Sequence, residues 1–270
     1  MPSSSSSPAE PAVADHRGTL ALVRKVVATR YVTPLREGGS LPGLVEADDD
    51  GLYVLKFRGA GQGRKALVAE VVTGELGRAL GLPIPELVLA ELDPAIGRAE
   101  PDAEIQDLLL ASAGTNLGVD FLPGALPFSP AAGPPPDPAL AADVIWFDAL
   151  VTNVDRTPQN PNLLWWHRRL WLIDHAASLY WHHASPHPVD HERGRFEAIR
   201  DHVLLPYASP IADADARLAP RITPEVLEQV AAAVPGTWLN GDDPQLYVQY
   251  LRRRLEPPRV FVEEAEHARG

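Results

Sequence analysis

The chain has 270 residues, a formal net charge of −12 and no cysteine. That length can bury a full core and hold one large domain or two lobes. The acidic balance argues against a nucleic-acid partner, which calls for a basic face to replace phosphate counterions. It also does not favour an anionic membrane surface. Without cysteine there is no disulfide framework and no cysteine-based zinc site.

In chain order, residues 1–17 read as a disordered tail, opening with Ser3–Ser7 and carrying little to bury. Met1–Glu10 has no apolar core and is not a signal peptide, and no run approaches the ~18 apolar residues of a membrane span. The expected location is the cytoplasm. Leu20–Val32 is apolar and β-branched, and reads as one or two strands. Leu35–Gly43 holds Gly38, Gly39 and Pro42 and reads as a turn. Leu44–Glu46 and Leu52–Phe57 flank Asp48-Asp49-Asp50-Gly51, a hairpin pattern in which Gly51 is expected to supply the positive φ.

A Gly-rich connection at Gly59–Arg64 precedes a helix over Lys65–Leu80, stopped by Gly81 and then by Pro83 and Pro85. Leu87–Leu92 and Leu117–Leu122 read as strands, and Glu104–Ala111 as a short helix. Residues 123–138 carry seven prolines in sixteen positions and read as an irregular linker between lobes. Leu140, Val144, Phe147 and Val151 then mark a buried helix. Leu163–Trp166 and Arg169–Ile173 form a small hairpin on either side of His167-Arg168. Helices are expected over Arg195–Leu205, from Thr223-Pro224 to Val234, and over Gln245–Leu255 after Asp243-Pro244. Residues 257–270 are left as a C-terminal tail. Strands first and helices later give an α+β fold, with an N-lobe at 18–122 and a helical C-lobe at 139–256.

The chemistry concentrates in Thr152–Leu164 and the following Asp174. Asp155 stands five residues before Asn160, and a short apolar run delivers Asp174. Phosphoryl transfer uses such a set: one carboxylate orients the attacking hydroxyl, while a side-chain amide and a second carboxylate hold Mg²⁺ on the phosphates of ATP. Asp155 is therefore the candidate catalytic base, and Asn160 and Asp174 the candidate metal ligands, with Asn162 as a substitute for Asn160. Upstream, Lys56 lies among Val54, Leu55 and Phe57, where a charged head needs an anionic partner. Glu70 is the favoured carboxylate to hold it, ahead of Glu75. Gly38, Gly39 and Ser40 offer backbone N–H groups to phosphates, although Arg36–Ser40 matches no standard phosphate-loop motif. Asp148 and Asn153 read as structural supports of the loop. The histidines from His175 to His191 match no zinc signature, and Trp165, Trp166 and Trp171 read as packing residues rather than a base-stacking platform.

These segments resemble the HipA-like branch of the protein-kinase-like fold, in particular its short actinobacterial-type members. The matching pieces are YVLKF with Lys56, AEVVTGELGRALGLPIPE with Glu70, FDALVTNVDRTPQNPNLL with Asp155 and Asn160, and LWLIDHAASL with Asp174. The D-R-x-x-x-x-N-like run is also similar to that of phosphoinositide kinases. The resemblance implies a two-lobed, ATP- and Mg²⁺-dependent kinase with a hydroxyl acceptor. The acceptor is a protein Ser/Thr, a small molecule or a lipid head group. A nucleotide-binding pseudokinase is the remaining alternative. Two departures stand out. His175-Ala176 follows Asp174 where many kinases have Phe-Gly, and the serine-bearing phosphate loop of HipA proteins is not recognisable in Arg36–Pro42.

Overall fold

The computed structural model describes residues 23–35, 41–61, 63–98, 100–184 and 194–270. Residues 24–120 supply five strands: β1 (Arg24–Pro34), β2 (Gly43–Ala47), β3 (Leu52–Lys56), β4 (Leu87–Leu92) and β5 (Gly114–Asp120). They close into a barrel in the order β1-β2-β3-β5-β4. Closure comes from a parallel pairing of β1 with β4, Arg24 opposite Val88 through Ala28 opposite Leu92. The sequence pattern yields a small sheet but not this closure, because the two strands lie some sixty residues apart and no turn chemistry links them.

Alternation along each strand fills the barrel. Val26, Ala28, Val45, Ala47, Tyr53, Leu55, Val88, Ala90 and Leu92 form one buried cluster, capped by Ile105 and Leu109 of α2 (Ala103–Ala111). Gly118 belongs inside too: a Cβ there would lie 2.6 Å from Val88 Cγ2 and 3.3 Å from Tyr53 Cβ. The β2–β3 hairpin forms as expected, but with a different device. Asp50 carries the positive φ of 62°. Gly51 is needed because a Cβ would fall 2.7 Å from the Tyr53 ring.

Helix α1 (Gly63–Ala79) is buried on nearly every face from Ala66 to Gly77, so it lies between barrel and helices rather than on the surface. It ends in a Schellman pattern: Leu82 N–H donates to Gly77 O and Gly81 N–H to Arg78 O, with Gly81 at φ 77°. At its start Arg64 reaches Asn240 Oδ1 (2.7 Å), and Lys65 Nζ reaches His182 O (2.6 Å).

The later part is mostly helical: α3 (Pro138–Val151), α4 (Trp181–Ala184), α5 (Ile211–Leu218), α6 (Pro224–Ala232), α7 (Gln245–Leu255) and α8 (Val260–Arg269). Asp137 caps α3 by accepting from Leu140 N, and Pro138 takes its first position. Thr223 caps α6 in the same way, and Asp243 Oδ1 accepts from Gln245 N at the start of α7. At the far end of α3, Arg254 of α7 donates to Leu150 O and Ala149 O, both at 2.8 Å.

Three further expectations are corrected. The Pro-rich stretch is not wholly irregular: β6 (Leu126–Pro127) pairs with β7 (Leu163–Trp166), which pairs with β8 (Arg169–Leu172). Phe128 is buried against Trp165 and Tyr207. Arg195–Leu205 is not an α-helix but contains a short 3₁₀ turn at Glu197–Asp201 and runs into another at Leu205–Tyr207. Val203 N–H is drawn to Arg156 O (3.1 Å) and the His202 ring to Asp148, so tertiary bonds outbid the helical ladder. Finally, the expected tail folds as α8, with Phe261 edge-on to Trp146 at 5.8 Å. Arg259 pairs with Asp215, the acceptor of the Trp146 indole N–H.

Candidate active site

Tyr53 and Leu55 point into the barrel, so the alternation of β3 turns Lys56 outward toward α1. There its Nζ lies 2.9 Å from Glu70 Oε2 and 2.7 Å from Asp174 Oδ1. Burial pushes the ammonium toward neutrality, but Glu70 and Asp174 outweigh it and raise the Lys56 pKa. Burial likewise opposes ionisation of Glu70. Lys56, followed by His175, overcomes this and brings the carboxyl down to about 2. Glu70 Oε2 also accepts the His175 backbone N–H at 2.7 Å. One carboxylate on α1 thus fixes both the strand lysine and the turn that presents Asp174.

Glu75 is not the partner. It is buried beside Arg78, 3.3 Å away, and burial pushes its carboxyl up to about 7. Asp174 sits just after β8 with φ 53°, and its side chain is 43% exposed. The left-handed turn aims it away from the strand and into solvent reach.

Asp155 lies in the loop after α3. Its Oδ2 accepts from Asn160 Nδ2 (2.8 Å) and Asn162 Nδ2 (3.4 Å), so the carboxylate and both asparagines form one cluster. Beneath it lies a buried frame. Asp155 N–H donates to Asn153 Oδ1, and Asn153 Nδ2 to Asp148 Oδ1, both at 3.1 Å. Arg156, 1% exposed, places Nε 2.5 Å from Asp148 Oδ2. Its Nη1 donates to Asn162 O and Ile173 O. Leu204 N–H donates to His202 Nδ1, which leaves Nε2–H to donate to Asp148 at 3.0 Å. Burial lowers the His202 pKa, consistent with a neutral ring. Burial alone would raise Asp148, but Arg156 and His202 hold it well below the usual carboxylate range.

Arg156 therefore couples the two halves of the site. The residue after Asp155 binds the carbonyl two residues beyond Asn160 and the carbonyl just before Asp174. The reading of Asp148 and Asn153 as structural supports agrees with this frame. Arg156 and His202 were not anticipated. The only local signal was a basic residue directly after Asp155, and nothing marks His202, which arrives from 54 residues beyond Asp148.

Gly38, Gly39 and Ser40 lie outside the described residues, as do His187 and His191. Among the described residues no group of three or more His, Cys, Asp or Glu is placed to hold a metal ion. A Mg²⁺ site would need few protein ligands, and hard oxygens at that. Asn160, whose Nδ2 is spent on Asp155, has its carbonyl oxygen left to offer. Asp174 has Oδ2 left beyond its contact with Lys56. These two side-chain oxygens are of the hard kind that would suit magnesium.

The family described as HipA-like kinase matches residues 29–256. The chain belongs to that family. The crystal structure of a Helicobacter pylori proinflammatory kinase, CtkA, is similar at a TM-score of 0.53 and 13% identity, covering 92% of this chain and 98% of that one. At that identity the likeness speaks for the fold: a β-rich N-terminal part and a helical C-terminal part in a kinase-like arrangement. No curated protein matches the chain. Among the described residues no helix is long and apolar enough to cross a membrane.

Proposed function

We propose that this HipA-like kinase is an ATP- and Mg²⁺-dependent phosphotransferase that passes the γ-phosphoryl group to a hydroxyl acceptor. In this reading the barrel part and the helical part are two lobes, with the nucleotide between them. The observation that carries it is the ion triplet of Lys56, Glu70 and Asp174 beside the Asp155–Asn160 cluster. Lys56, kept cationic and oriented by Glu70, would hold the α/β-phosphates. Asn160 and Asp174 would hold Mg²⁺, which supplies charge neutralisation at the phosphates when bound. Binding of metal at Asp174 would draw that carboxylate off Lys56 and release the lysine to the nucleotide.

Asp155 would then orient the acceptor hydroxyl and take its proton as the oxygen–phosphorus bond forms and the bond to the ADP oxygen breaks. Asn160 and Asn162 keep the carboxylate in place. Catalysis would be positioning and charge stabilisation for the most part. Incubation with γ-labelled ATP and Mg²⁺, alone and with cell lysate, tests the reading. Label on a protein band supports a protein hydroxyl as acceptor, and label confined to small molecules supports a metabolite or lipid head group. Nucleotide binding with no transfer in either setting would instead make the chain a pseudokinase.

A further inference from the structure

The first turn of α1 is charged against its own helix. It holds two adjacent cations, Arg64 and Lys65, and no acid, although the positive end of the helix dipole disfavours cations there. The chain entering the helix gives it little guidance. Gly63 opens it at φ 72°, and a Cβ at Gly61 or Gly63 would meet nothing within 4 Å.

Both cations are spent on neutral oxygens of the helical part. Arg64 Nη1 donates to Asn240 Oδ1 (2.7 Å) and Thr237 O (3.3 Å), in the stretch between α6 and α7. Lys65 Nζ donates to His182 O (2.6 Å) on α4. In a chain of net charge −12, neither has a carboxylate partner among the described residues. The anchor on α4 is itself well seated: His182 Nδ1 lies 3.2 Å from the Tyr247 hydroxyl, and Trp181 packs against Tyr247 and Tyr250. The bonds therefore place the start of α1, not the anchor.

Such bonds at the surface add only modestly to stability. What they add is direction. The apolar packing of α1 from Ala66 to Gly77 is non-directional, whereas a hydrogen bond fixes an atom to a point. Five residues on, about 7.5 Å along the axis, stands Glu70. Its Oε2 takes both Lys56 Nζ (2.9 Å) and the His175 N–H (2.7 Å). A slide of α1 along its axis would break both contacts together.

We propose that Arg64 and Lys65 are positioning residues of the phosphotransfer site: together they pin the first turn of α1 to the helical part and so set Glu70 against Lys56 and the His175 amide. This role rests on the phosphotransfer reading, because what is placed is the pair that would hold the nucleotide.

Amide exchange beside kinetics, in the full chain, tests it. With Arg64→Met and Lys65→Met combined, the His175 amide should exchange faster by about tenfold or more. The kcat for transfer from γ-labelled ATP should fall by about tenfold or more, with KM for ATP within about threefold of wild type. The melting temperature should move by only a few degrees. Arg64→Lys combined with Lys65→Arg keeps both donors, and should restore exchange and kcat together. Unchanged His175 exchange in the methionine variant would overturn the proposal, as would the same losses in the variant that keeps the donors. A fall in melting temperature large enough to account for the lost turnover would overturn it too, and leave a structural seat. A wild type that transfers no phosphate would instead overturn the phosphotransfer reading, and the positioning role with it; faster His175 exchange in the methionine variant would then report a structural tie alone.

Discussion

Lys56 and Glu70 are each poor tenants of a low-dielectric site alone, because a charge without its partner costs several kcal/mol to bury. Removing either should cripple nucleotide use, and removing both should cost far less than the sum, since the two act as one unit. ATP affinity and turnover measured for Lys56→Met, Glu70→Gln and the double variant check this, and additive losses would separate the pair. The same pair sets a pH dependence. The folded pKa of Glu70 is depressed to about 2, below the ~4.3 of an unperturbed Glu. Its stabilisation is therefore complete above the unfolded value and is lost as pH falls through 4 toward about 2. Melting temperature should decline across that window, with a shallower slope in Glu70→Gln. Asp155 makes a third case at this scale. Asp155→Asn should lower phosphoryl transfer by about 10²–10⁴-fold, the usual share of a positioned acid–base group. ATP affinity and melting temperature should hardly move, because the carboxylate is partly exposed and its buried support is made by its neighbours. A parallel fall in all three would mean Asp155 is only a backbone brace.

At the level of elements, what the sequence made legible was what is local. The Lys-bearing strand, the Gly81 stop, the Asp-x-x-x-x-Asn spacing and the Thr-Pro and Asp-Pro helix starts all have their causes within a few residues, and the structure contains each of these elements. What was missed depends on partners far away in the chain. The β1–β4 closure, the 3₁₀ turns around His202 and the docking of α8 on α3 are each fixed by contacts that composition does not reveal. The phosphate-loop candidates Gly38, Gly39 and Ser40 fall outside the described residues, so their place stays an expectation from sequence. The joint between α3 and α7 belongs to this scale as well. Arg254 occupies the end of α3 where the catalytic-type loop begins, and satisfies two carbonyls that would otherwise be buried without donors. Arg254→Leu should destabilise the fold by roughly 1–3 kcal/mol for each buried acceptor left unmet. Turnover per folded molecule should fall as well, because the loop loses its fixed origin. Urea unfolding alongside kinetics would separate these effects, and unaltered stability would show that water replaces the guanidinium at no cost.

On the scale of the whole molecule, the apolar clusters do not divide where the two parts meet. The larger one runs from Leu67, Val72 and Leu76 of α1 and Leu117 of β5 to α3, α6, α7 and α8, while only the barrel interior forms a separate cluster. Polar ties cross in the same place. Trp238 Nε1 donates to Thr115 O on β5, Arg64 holds Asn240, and Leu172 N–H bonds Pro83 O between β8 and the α1–β4 connection. A helix buried on both sides cannot belong to one lobe alone: whichever part unfolds first strips apolar surface from the other. The molecule should therefore unfold in one cooperative step although it holds two kinds of architecture. Leu55 supplies the sharpest probe, being fully buried in the barrel cluster, which includes no residue of α3 or the helices after it. Leu55→Ala should remove about 2–5 kcal/mol, and it should lower the melting of the barrel and of the helical part equally. Calorimetry beside far-ultraviolet dichroism, which reports the helices, measures this directly. Matching calorimetric and van't Hoff enthalpies, with coincident midpoints in wild type and variant, are expected. A low-temperature transition in Leu55→Ala that leaves the helical signal behind would show that the barrel is an independent unit, and that α1 is shared in space but not in stability.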